Sequence, residues 1–90
     1  MKRVLMFPMF RYVKAALSQA EYERNEDGVI IAQITNASGF YAQGDTFEEA
    51  RENLRDVIEG NVVLALQLGL EIPAIEGIII EEQNVEAVAA

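Results

Sequence analysis

Apolar and polar positions change period several times along this 90-residue chain, and each change predicts an element. Residues 11–20, RYVKAALSQA, set Tyr12, Val13, Ala16, Leu17 and Ala20 at helical spacing with good helix formers between them, which predicts a short amphipathic helix. From Glu21 the period falls to two: Tyr22 and Arg24 alternate with Glu23 and Asn25, and Asn25-Glu26-Asp27-Gly28 then turns the chain. Residues 29–34 return as the partner strand. Ile30, Ala32 and Ile34 share one face and Val29, Ile31 and Gln33 the other, so the even side is expected to be buried and the odd side at least partly. That is the pattern of a central strand. The small polar stretch 35–39 reads as a loop, and residues 40–43 as a short third strand.

A long helix follows. In Asp45-Thr46-Phe47-Glu48-Glu49 the Thr46 hydroxyl is placed to cap the first turn, with Glu49 reaching back to the Thr46 amide. Phe47, Ala50, Leu54, Val57, Ile58, Asn61, Ala65 and Leu68 then keep the three-four spacing of a face laid on a sheet, while Arg51, Glu52, Arg55, Asp56 and Glu59 cover the opposite side. Beyond Gly60 apolar groups run nearly all round the helix. Val63, Leu66 and Leu70 are expected to face away from the stripe and are the candidates for an oligomer interface. Gly69 supplies a stop, Pro73 prevents resumption, and Ile78-Ile79-Ile80 offers a closing strand. The expected organisation is a flexible extension over 1–10, one α+β domain over 11–82 and a frayed tail over 83–90.

Composition narrows what such a domain does. Ninety residues support one domain that buries about 60–65% of its unfolded surface. With 51% hydrophobic and 24% charged residues, the chain is apolar for its size, so part of its surface is expected to meet another copy. The net charge of −8 argues against a phosphate-binding surface and for a basic protein partner. The start, with Lys2 and Arg3 ahead of an apolar run, superficially has the form of a signal peptide. The run is short, breaks at Pro8 and lacks a small-residue cleavage site, so a cytoplasmic location is expected.

Cysteine and histidine are both absent, which removes thiolate ligands, the commonest zinc nitrogen ligand and the commonest general base at neutral pH. Carboxylates remain, with Asp27, Asp45 and Asp56 the natural candidates for a divalent-metal site. Each has a plainer explanation: a turn residue before glycine, a favourable charge at a helix start, and a solvated helix face. Ser18, Ser38 and Thr46 have no histidine or nearby lysine to activate them. No catalysis and no cofactor are expected.

The ordered set YERNEDGVIIAQI at residues 22–34, then Gly39, Gln43-Gly44-Asp45-Thr46, Glu48-Glu49-Ala50, Asn53-Leu54, Ile58 and Gly69-Leu70-Glu71-Ile72-Pro73, resembles the HicB-like antitoxins of bacterial toxin–antitoxin systems. The resemblance runs over roughly residues 12–80. It implies a ββαβ core like a truncated ribonuclease H fold: a small antiparallel sheet with one long helix packed on it, here with a short N-terminal helix added. It also implies a homo-oligomeric antitoxin that binds a small basic HicA-type, mRNA-cleaving toxin. Many such antitoxins continue into a DNA-binding segment; this sequence ends without one, so direct nucleic-acid binding is not expected. Glu23, Glu26, Asp27, Asp45 and Glu48 fall near one end of the expected sheet and are the candidate toxin contacts. The alternative is an orphan homo-oligomeric interaction domain of the same fold, with no toxin partner.

Overall fold

The computed structural model describes residues 3–6, 9–37, 39–75 and 81–84. Along the chain run β1 (Arg3–Met6), α1 (Met9–Ser18), β2 (Glu21–Arg24), β3 (Ile30–Gln33), β4 (Tyr41–Gly44), α2 (Phe47–Leu68) and β5 (Glu81–Asn84). β2, β3 and β4 form an antiparallel sheet with β3 in the centre. In its register, Arg24, Ile30 and Gly44 stand side by side at one end.

The hairpin between β2 and β3 is built by Asn25. Its side-chain oxygen accepts from the amides of Asp27 at 2.9 Å and Val29 at 3.0 Å, and Gly28 takes a positive φ of 83° that glycine adopts without cost. β3 is buried on its even side, with Ile30 and Ala32 fully covered and Ile34 nearly so. On the odd side Ile31 is half-buried and Gln33 exposed. Neighbouring strands continue that open face with Glu21, Glu23, Tyr41 and Gln43, all exposed.

α2 lies on the covered face, against β4 and β3, with α1 alongside it. Its start is the expected cap with one difference. Thr46 Oγ1 accepts from the Glu49 amide at 3.0 Å, but Glu49 Oε1 accepts from the Asp45 amide, also at 3.0 Å, rather than from Thr46. Gly69 ends the helix in the left-handed region at φ 68°, ψ 26°.

The buried stripe is Ala50, Leu54, Ile58, Val62 and Ala65. The spacing also assigns Phe47, Asn61 and Leu68 to it, yet these are exposed, whereas Val62 is covered. Phe47 is the first helical residue and lies over the edge strand instead of in the core. Its ring meets Tyr22 at a centroid distance of 5.8 Å, and the Arg24 guanidinium stands 5.7 Å from its centre.

α1 begins two residues before the expected start and contributes Tyr12, Val13, Ala16 and Leu17 to the core. The strand expected at Ile78–Ile80 lies outside the described residues. Among the described residues the strand that follows α2 is β5, and it pairs antiparallel with β1, Arg3 opposite Asn84, rather than joining the three-stranded sheet. Parts of both segments set apart as extension and tail are thus a strand pair.

Tyr12 ties this frame together. Its ring is fully buried, meets Phe40 edge-on at 6.4 Å, and its hydroxyl donates to the Pro73 carbonyl at 2.5 Å, fixing the segment after α2 to α1. Burial pushes the phenol up from 10.0 to about 12. The unfolded chain ionises there from pH 10 upward while the folded chain keeps the proton. Stability fully present below pH 10 is therefore lost between pH 10 and 12, by up to about 1.4 kcal/mol per pH unit. Tyr12→Phe should abolish that alkaline slope while costing about 1 kcal/mol at neutral pH, because the Pro73 carbonyl loses its donor. Denaturant melts of both proteins at neutral and alkaline pH check this; a slope that persists in the phenylalanine protein would overturn it.

Candidate functional site

The sheet register decides where the candidate carboxylates sit. Because Arg24, Ile30 and Gly44 are neighbours, the β2–β3 turn and the residues leading from β4 into α2 emerge at the same end. Glu26 and Asp27 occupy the turn, Asp45 precedes α2, and Glu48 lies in its first turn. All four are exposed, and none has an ion-pair partner among the described residues. Glu23 is exposed too, but it lies on the open face of the sheet, on the side away from α2. Four of the five candidates thus gather at one end, with the fifth round its edge. Arg24 stands beside them as a cation committed to the Phe47 ring and, at 3.3 Å, to the Gly28 carbonyl.

The supports of this end are backbone devices, so the carboxylates are left to solvent. Asp27 and Asp45 use their amides, not their side chains, in the turn and the cap. An anion at a helix start is favoured by the positive end of the helix dipole, which suits both Asp45 and Glu48. Gln43, at the same end of β4, has its carbonyl covered by the Asn53 amide nitrogen at 2.8 Å, which ties the edge strand to α2.

Chemically, the arrangement offers attraction to a basic surface. Asp27 and Asp45 share the acidic end, but Asp56 lies on the exposed side of α2, three turns into the helix, and the trio is not brought together. Among the described residues no group of three or more acidic side chains is disposed to hold a metal ion.

The other candidate surface is the far end of α2. Val63 and Leu70 are exposed, at 44% and 57%, while Leu66 is half-buried against the core. Leu64 and Leu68, which the periodicity did not single out as exposed, join them on the surface at 48% and 62%. A helix that outruns its sheet exposes residues that its spacing alone assigns to the core. No helix among the described residues is long and apolar enough to cross a membrane.

Fold and surfaces together define a small α+β domain with one long helix laid on an antiparallel sheet, acidic at one end and apolar at the other. A family model described as UPF0150-like matches residues 11–73, and the chain belongs to that family. The UPF0150 protein ssr1258 of Synechocystis sp. is 43% identical over 37 residues, covering 41% of this chain and 54% of that protein. The chain therefore spans about half the length of the curated relative it matches. The crystal structure of TTHA0281 from Thermus thermophilus is similar at a TM-score of 0.76 and 27% identity, over 84% of this chain and 95% of that one.

Proposed function

We propose that this chain is a HicB-like antitoxin that binds and neutralises a small basic, mRNA-cleaving toxin of the HicA type in the cytoplasm, without catalysis, cofactor or direct contact with nucleic acid. The observation that carries the reading is the gathering of Glu26, Asp27, Asp45 and Glu48 at one end of the sheet, unpaired among the described residues and exposed. A toxin that cleaves RNA must present cations to phosphate, and an acidic protein surface competes for those same cations. UPF0150-like membership and the α+β fold are compatible with this role and supply its frame.

The test is co-expression with the small basic protein encoded beside it. Relief of the growth arrest that protein causes, together with a complex that co-purifies, is the expected result. No arrest to relieve, or no complex, would overturn the reading.

The alternative reading, an orphan homo-oligomeric interaction domain with no toxin partner, shares the exposed apolar end of α2. Both readings include self-association there. Val63→Glu combined with Leu68→Glu should reduce the solution mass toward the 10.0 kDa of one chain, as measured by light scattering. Leu66 is the poorer probe, because its half-buried side chain also supports the core.

A further inference from the structure

A groove of about 490 Å³ runs between α1 and α2 and is lined by none of the residues of the acidic end. Its α1 wall is apolar, formed by Met9, Phe10, Val13 and Leu17, and Phe10 is 79% exposed although it belongs to a core-forming helix. Its rim is cationic. Of the seven lysines and arginines in a chain of net charge −8, Lys14, Arg51 and Arg55 stand here. Arg55 is engaged by Glu52 at 2.7 Å. Lys14, on α1, and Arg51, on α2, have no hydrogen-bond or ion-pair partner among the described residues. Among the described residues that line the groove, one other carboxylate, Glu59, stands against them, two turns along α2 from Arg51.

We propose that this groove binds one singly charged, long-chain amphiphile, a free carboxylate of fatty-acid type, with its head between Lys14 and Arg51 and its chain along Phe10, Val13 and Leu17. The size falls within the range of about 300–1,000 Å³ usual for small-ligand sites, and the mix of an apolar wall with few polar groups is also theirs. Charge selects the head. With the Arg55–Glu52 pair satisfied, two open cations face one carboxylate, which suits a single anion and disfavours a polyacidic helix. The chain's overall −8 opposes docking onto an anionic bilayer, so the free amphiphile is the source. The site uses none of the candidate toxin contacts and stands independently of the antitoxin reading.

The experiment is a titration of the whole chain with dodecanoate below its micelle threshold, followed through the methyl resonances of Val13 and Leu17. Saturable shifts at those methyls, with the methyls of Leu64 and Leu68 unmoved, are expected, with dodecanol binding about tenfold more weakly. The double variant Lys14→Gln, Arg51→Gln should lose about tenfold in affinity with an unchanged thermal melt. Equal binding of dodecanol, an unaffected double variant, or shifts at Leu64 and Leu68 instead would overturn the proposal. So would absence of saturation, binding to anionic vesicles but not to the monomeric acid, or displacement of dodecanoate by an acidic amphipathic peptide at lower concentration.

Discussion

Gly44→Ala is expected to destabilise the fold by about 3 kcal/mol and to lower the melting temperature by about 10–20 °C. At Gly44 a Cβ would lie 2.5 Å from the Ala50 amide nitrogen, 2.8 Å from the Glu49 carbonyl carbon and 2.9 Å from the Glu49 Cβ. Two of these are backbone atoms of a capped helix turn, so no flexible side chain can swing aside. Either β4 or the start of α2 must move. The cap from Thr46 to Glu49 and the bond between Glu49 and Asp45 tie the two together, so the disturbance falls on the whole junction. Gly60→Ala is the matched control. It lies exposed in the middle of α2 with nothing within 4 Å of its Cβ position, and it should stabilise by about 0.5–1 kcal/mol. Thermal melts followed by circular dichroism separate the two; similar melting temperatures for both variants would show that the close approach does not constrain the fold.

Reversing charge at the acidic end is the larger functional test. Glu26→Lys, Asp27→Lys and Asp45→Lys together should slow association with a basic toxin by about 10–100-fold at low ionic strength, because steering depends on the sign of the local potential. The salt dependence of the rate should weaken or invert, since salt screens repulsion as well as attraction. The side chains replaced make none of the hydrogen bonds that build the turn or the cap, which run through amides and through Asn25, Thr46 and Glu49. A lysine at position 45 opposes the helix dipole at a cost of up to about 1 kcal/mol, so melts of the triple variant accompany the kinetics. Association rates that match the unaltered protein at both salt concentrations would remove these residues from the interface.

Much of this is legible along the chain because local chemistry and tertiary structure agree. Asn25 and Gly28 make the turn that their types demand, Ile30 and Ala32 alternate with Ile31 and Gln33 as a half-buried strand requires, and Thr46 and Gly69 bound α2. The gathering of Glu26, Asp27, Asp45 and Glu48 follows from strand order and register. What is not legible depends on where α2 stops having a sheet beneath it. Leu68 fits the helical period of the core, yet it lies exposed at the far end of a 22-residue helix laid on four-residue strands, while Phe47, which fits the same period, packs on Tyr22 and Arg24 of the outer strand and stays half exposed. The pairing of β1 with β5 joins Arg3 to Asn84, near opposite ends of the chain, and Glu81-Glu82-Gln83-Asn84 carries no alternating pattern to announce it. The groove beside α1 is hidden from the sequence for a related reason. Lys14 and Arg51 are unremarkable on their own helices and become neighbours of one cavity only when the helices pack.

The length of α2 sets the geometry of anything built from this domain. At about 1.5 Å per residue, its 22 residues hold the acidic end and the apolar end about 33 Å apart. An assembly joined through the apolar end would therefore turn its acidic ends outward, each on its own rigid spoke. Such a particle is multivalent by construction. Its hold on a partner that is itself more than one copy would rise through effective concentration, with no new contact at any single site.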